Sequence, residues 1–203
     1  MGTTGVIDFW FDFASTYSYP AVMTIEDRAA KSGVKIRWRP ILLGPIFAAQ
    51  GWDDSPFNIY PAKGRYMWRD MERLCKAAGL PFQRPPVFPQ RSVDAAKVAL
   101  YGLDHGWGPS FIRSIFIEHF AMGRDIADYE TLGRAVLNAG STTPVEMALS
   151  APSRLREETE AAHALGIFGA PTFTVGKELF WGFDRMDQAI AWAANHASAT
   201  PRT

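Results

Sequence analysis

A chain of 203 residues, 47% of them hydrophobic and 13% aromatic, has apolar material for one packed core, and its 21% charged residues are too few for a disordered chain. Lysine plus arginine number 21 and aspartate plus glutamate 21, so the formal net charge is zero. Without a basic field the chain cannot gather nucleic acid or an anionic membrane electrostatically, and a small-molecule partner is expected instead.

The first residues, MGTTGVIDFW, lack the basic region and cleavage site of a secretory signal, and Val6 stands where myristoylation needs serine or threonine. A cytoplasmic protein is therefore expected. No apolar run approaches the roughly 18 residues of a membrane span. VIDFWFDF alternates Ile7, Phe9 and Phe11 against Asp8 and Asp12, which predicts a strand. AVMTIEDRAAKSG then places Val22, Ile25 and Ala29 at helical spacing and ends on Gly33. VKIRWRPI returns to strand alternation and stops at Pro40. Strand, helix and strand in forty residues predict a parallel pair with a right-handed crossover.

From Gly44 to Gly166 helical patterns dominate, separated by glycine and proline. YMWRDMERLCKAAG predicts a helix whose apolar face buries Cys75, the single cysteine. SVDAAKVALYGLDHG, PSFIRSIFIEHFAMG and YETLGRAVLNAG predict three more, and Thr143, Pro144 and Glu146 predict a capping box starting another. Gly51 to Gly64 reads as a long polar and aromatic loop of the kind that lines sites. After Gly166, PTFTV and ELFW around Gly176 and Lys177 predict a hairpin, and a final helix follows with Asp184 as its N-cap.

Phosphate-binding glycine loops, a GxSxG elbow and HExxH are missing. The four histidines, at 105, 119, 163 and 196, are scattered singly, so surface or packing roles are expected and no metal site. FDFASTYSYP gathers Ser15, Thr16, Tyr17 and Ser18 where a strand passes into a helix, and simple capping accounts for those residue types. FGAPTF, however, puts Pro171 at the head of a strand after small residues. An order of β-α-β, helical block and β-β-α is the thioredoxin architecture, in which a cis-proline faces the first helix's N-terminus.

FDFASTYSYP, YPAKGRYM and FGAPTFTVGKELFWGFDRM, in this order and spacing, resemble 2-hydroxychromene-2-carboxylate isomerases and the related kappa-class glutathione transferases, in the DsbA-like branch of the thioredoxin superfamily. The resemblance spans nearly the whole chain. It implies an α/β thioredoxin fold interrupted by an all-helical insertion, with 1–43 and 166–203 as the thioredoxin-like part and 44–165 as the insertion. It also implies glutathione as co-substrate, a small aromatic second substrate, and a homodimer. Ser15 matches the family's active-site serine, where redox relatives carry the first cysteine of CxxC; Ser-Thr-Tyr-Ser excludes dithiol chemistry there.

On the same grounds Lys63 is expected to meet a glutathione carboxylate, Asp184 the γ-glutamyl ammonium, and the backbone of Ala170, before Pro171, the cysteinyl part. Lys63 also reads as an ordinary solvated loop lysine. Trp52 and Phe183 depart from the family, which commonly has Asn at the first position and Ser or Asn at the second. Either the substrate differs, or glutathione is held mainly by backbone, Lys63 and Asp184. Tyr17, Trp52 and Asn58 are expected to shape the substrate pocket, with Asn58 a candidate replacement for the lost amide. The resemblance supports a glutathione-dependent isomerase first. A kappa-like glutathione transferase and a non-catalytic thioredoxin-fold binding module or chaperone are the alternatives.

Overall fold

The computed structural model describes residues 4–197. Strand β1 (Val6–Phe11) runs into helix α1 (Ser18–Lys31) and strand β2 (Lys35–Pro40). A run of helices follows: α2 (Leu43–Ala49), α3 (Pro56–Ile59), α4 (Pro61–Ala77), α5 (Val93–Asp104), α6 (Gly108–Phe120), α7 (Tyr129–Asn138), α8 (Val145–Ser150) and α9 (Leu155–Ala164). Strands β3 (Thr172–Val175) and β4 (Glu178–Trp181), a 3-10 turn (Phe183–Arg185) and α10 (Met186–Ala197) complete the order. The sheet order is β2-β1-β3-β4, with β1 parallel to β2 and antiparallel to β3, and β3 antiparallel to β4. This is the mixed sheet of a thioredoxin-like fold.

The alternation read in β1 holds, but its polar side is not a solvent face. Ile7, Phe9 and Phe11 are fully buried on one side, and Trp10 and Asp12 are each only 3% exposed on the other. The reason is a second layer: Ile41, Leu43 and Ile46 of the α2 region and Ala162 of α9 pack with Trp10 over that face. The first face shares its core with the helical run, through Phe13 and Phe116 at 5.1 Å and Tyr19 and Phe120 at 5.7 Å between ring centroids. Phe116 and Phe120 are therefore core, while Tyr66 stays exposed.

Arg37 and Arg39 of β2, unassigned from sequence, are held by acids of β1 and α9. Arg37 meets Asp8 at 2.6 Å, and Arg39 bridges Asp8 at 3.0 Å and Glu158 at 2.9 Å. On α4, Gly64, Met67, Met71 and Cys75 make one buried stripe. Gly64 has to be glycine, because a Cβ would lie 2.2 Å from the Phe57 carbonyl. Burial pushes the Cys75 thiol up to about 11.

Two local expectations are corrected. The predicted loop from Gly51 to Gly64 contains α3 and the first turn of α4, because Ser55 caps α3, accepting from the Phe57 amide, and prolines open both helices. The capping box at Thr143 does not form. Pro144 is the extended N-cap of α8, and the Thr143 hydroxyl accepts a hydrogen bond from Ser141 at 2.9 Å instead.

Candidate active site

The turn between β1 and α1 is built on one buried carboxylate. Asp12 Oδ1 accepts from the Ala14 amide at 2.9 Å and Oδ2 from the Leu43 amide at 2.7 Å, with the Ser92 hydroxyl on the same group. Burial raises this carboxyl above its ordinary range, and the hydrogen bonds pull partly the other way. The Asp12 carbonyl accepts from the Ser15 amide at 2.9 Å. One residue on, His119 Nδ1 donates to the Phe13 carbonyl at 3.0 Å. Because a carbonyl only accepts, Nδ1 carries the hydrogen, and Nε2 is buried with no partner among the described residues. Burial lowers this imidazole to about 4.

Ser15, only 8% exposed, donates its hydroxyl to the Ala170 carbonyl at 2.9 Å. The Ala170–Pro171 peptide is cis. The capping explanation for this segment is corrected: the N-cap residue of α1 is Tyr17, in helical conformation and without a side-chain bond. Backbone turns from Ser18 to the Ser15 carbonyl and from Tyr19 to the Thr16 carbonyl occupy the first helical amides instead. Among the described residues no acceptor meets the amides of Thr16 and Tyr17.

Ser15 opens into a cleft of about 1270 Å³. Of the positions singled out from sequence, Ser15, Tyr17, Trp52, Lys63, Ala170, Pro171, Phe183 and Asp184 all line it. Asn58 does not. Its Nδ2 donates to both Asp54 oxygens, at 3.2 and 3.0 Å, and to the Phe88 carbonyl at 3.2 Å, so its amide nitrogen ties α3 to the chain before α5 and is already engaged.

Trp52 and Phe183 are walls and leave the cleft open. Trp52 packs on Phe47 at 5.7 Å, and the Arg28 guanidinium lies 5.7 Å over Phe183. Lys63 Nζ sits 4.7 Å over the Tyr60 ring. Asp184 lies inside the 3-10 turn, with its side chain 74% exposed and 3.6 Å from Arg185. It is not the N-cap of the final helix, which begins two residues later at Met186. The Tyr17 hydroxyl donates to Asp70 at 3.2 Å, and burial together with that carboxylate holds the phenol well above its usual range.

Asp12 was legible only as one polar position in an alternating strand. Phe168 and Trp181, which pair at 4.9 Å at the cleft and are 44% and 51% exposed, drew no attention from the sequence. The structure gives Gly169 its reason here: a Cβ on it would come 2.6 Å from Trp181 Nε1. Among the described residues no group of three or more His, Cys, Asp or Glu is arranged to hold a metal ion, and no helix is long and apolar enough to cross a membrane.

A serine before the first helix, bonded to the residue ahead of a cis-proline strand across an open cleft, defines a thioredoxin-fold protein with no dithiol at its site. The chain belongs to the DSBA-like thioredoxin domain family, whose model matches residues 6–190. It is 29% identical to a 2-hydroxychromene-2-carboxylate isomerase of Sphingobium xenophagum, over 91% of this chain and 95% of that one. Identity to the kappa 1 glutathione S-transferase of Caenorhabditis elegans is 26%, over 88% and 86% of the two chains. The fold is that of a solved 2-hydroxychromene-2-carboxylate isomerase, with a TM-score of 0.83 at 24% identity over 94% of this chain and 95% of that one. It is also that of the cytosolic disulfide reductase DsbM of Pseudomonas aeruginosa, solved with GSH, with a TM-score of 0.64 at 18% identity over 94% and 96%. The named relatives are the isomerases and transferases that the sequence resembles.

Proposed function

We propose that this protein is a glutathione-dependent cis-trans isomerase that interconverts 2-hydroxychromene-2-carboxylate, or a close analogue, and trans-o-hydroxybenzylidenepyruvate, in the degradation of aromatic compounds. The hemiketal ring opens first, its C–O bond breaking to give a phenol and a 2-oxo acid as the hydroxyl proton passes to the phenol oxygen. A conjugated double bond does not rotate. Reversible addition of a thiolate, with the charge held as the enolate of the 2-oxo acid, makes it single, the bond turns, and elimination of the thiolate restores conjugation in the other geometry. Ser15 is the activator of that thiolate and forms no covalent bond itself.

The observation that carries this reading is the Ser15 hydroxyl bonded to Ala170 beside the cis-proline, in a cleft whose charged lining includes the cation Lys63 and the exposed anion Asp184. That pairing fits a tripeptide with both carboxylates and an ammonium group. Energetics favour it too. A thiol of pKa about 8.5 is only about 3% ionised at pH 7, and lowering the pKa to about 6.5 requires about 2.7 kcal/mol. A hydrogen bond to a charged acceptor contributes about 1.5–3 kcal/mol and a helix N-terminus about 0.3–2 kcal/mol. A hydroxyl beside two free amides is enough. A cytoplasmic location supplies the reduced glutathione such a reaction needs.

The test is the interconversion itself, followed with and without glutathione. Conversion that requires glutathione and returns it unchanged supports the reading. Consumption of glutathione with a conjugated product supports the kappa-like transferase reading instead, which the similarity to that family favours second. No heat on titration with millimolar glutathione points to a binding module.

A further inference from the structure

The proposed reaction brings two molecules bearing carboxylates into one cleft, yet the acids lining it outnumber the bases. The acids are Asp12, Asp53, Asp54, Asp70 and Asp184; the bases are Lys63 and Arg91. Three of the acids are engaged: Asp12 by backbone amides, Asp54 by the Ser55 amide and Asn58, and Asp70 by the Tyr17 hydroxyl. With Lys63 serving glutathione, Arg91 is the one base left among the described residues of this lining.

We infer that Arg91 binds the carboxylate of the second substrate, an aromatic 2-oxo acid or its cyclic form, and so gives the cleft its preference for acids; the inference rests on the isomerase reading. The chain holds Arg91 beside the serine turn. Ser92, its neighbour, reaches the Asp12 carboxylate, which in turn holds the Ala14 amide next to Ser15. Gln90, on the other side, is buried and accepts from the Ile126 amide at 3.0 Å. Both flanks of Arg91 are thus anchored.

Asp94 accepts from Arg91 Nη1 at 2.7 Å and orients the guanidinium. Its other N–H groups meet no acceptor among the described residues, which leaves an edge of the fork for a bidentate carboxylate. The side chain is 62% exposed, and Asp94 is its one ion-pair partner among the described residues. Phe88, three positions earlier, lines the same cleft and gives its wall an aromatic surface.

The experiment uses chromone-2-carboxylate, an unreactive acid, and its methyl ester, titrated calorimetrically into wild type, Arg91→Gln and Arg91→Lys, with melting temperatures confirming the fold. The acid is expected to bind wild type about tenfold to a hundredfold more tightly than the ester. Arg91→Gln is expected to abolish that preference and Arg91→Lys to keep part of it. Equal binding of acid and ester by wild type, no binding of the acid, or a preference that survives in Arg91→Gln overturns the assignment. A wild type that prefers the acid but isomerises no hydroxychromene acid overturns the isomerase reading alone and leaves the carboxylate site standing.

Discussion

Ser15 and Ala170, 155 positions apart in the chain, are joined by one hydrogen bond of 2.9 Å from the serine hydroxyl to the alanine carbonyl. The bond points the hydroxyl proton at the carbonyl of the residue that precedes the cis-proline. Exchanging a neutral carbonyl acceptor for a thiolate is favourable, because hydrogen bonds to charged groups are about twice as strong.

Ser15→Ala removes that donor while leaving the turn, which is held by the Asp12 carbonyl and carboxylate. Turnover at saturating glutathione is expected to fall about tenfold to a hundredfold, and the pKa of the bound thiol to rise by roughly 1–2 units. Thiolate absorbance against pH reads the second effect directly. Unchanged turnover removes the serine from the chemistry.

Lys63 and Asp184 line the same cleft with opposite charge, and both are exposed. Lys63→Ala and Asp184→Ala are each expected to raise the glutathione KM about three- to tenfold while kcat stays near wild type, the signature of binding that is equal in ground and transition states. Initial-rate kinetics with glutathione varied separates this from a loss of kcat, which would place either residue nearer the reacting atoms.

Trp52 stands where the resembled family commonly places an amide, and its ring packs on Phe47 at 5.7 Å as a wall of the cleft. Trp52→Asn is expected to lower the glutathione KM severalfold by restoring a polar contact, and to reduce stability by about 1 kcal/mol through the lost aromatic pair. Kinetics and urea unfolding measure the two effects on one variant. A higher KM would show that the indole itself contributes to the glutathione site.

His119 is fully buried, and its pKa is lowered from 6.5 to about 4 by that burial. Between these values the unfolded chain binds a proton that the folded chain refuses, so stability is greatest above pH 6.5 and declines as pH falls toward 4. The difference amounts to about 3 kcal/mol. His119→Gln keeps a donor for the Phe13 carbonyl but has no charge to gain. The unfolding free energy of wild type relative to this variant, measured in urea at pH 7 and pH 4, is expected to drop by that amount at the lower pH. A constant difference would mean that the imidazole titrates as it does in the unfolded chain.

Much of the architecture was legible because it is written in local periods. Alternation in VIDFWFDF and PTFTV, helical spacing in AVMTIEDRAAKSG and the glycine at the end of each segment depend only on neighbouring residues. The positions of Ser15 and Pro171 were legible too, since motif order brings a strand-to-helix turn and a strand start together. What failed was local reasoning about groups with a choice of partner. Thr143 had a hydroxyl neighbour as well as an amide to bond, and Asn58 had Asp54 and the Phe88 carbonyl within reach. Competition of that kind is settled by geometry, which spacing does not encode.

The sequence by itself determined the element order, the absence of any thiol in the Ser15 turn and the neutrality of the whole chain, because each follows from residue identity and short-range pattern. Only the tertiary structure decided that Asp12 is buried rather than solvated, that Arg37 and Arg39 face acids and not a ligand, and that Arg91 reaches the cleft wall. Those outcomes depend on which surfaces the helices between β2 and β3 cover, and burial, which sets the strength of every charge and hydrogen bond, belongs to the folded whole and not to any stretch of chain.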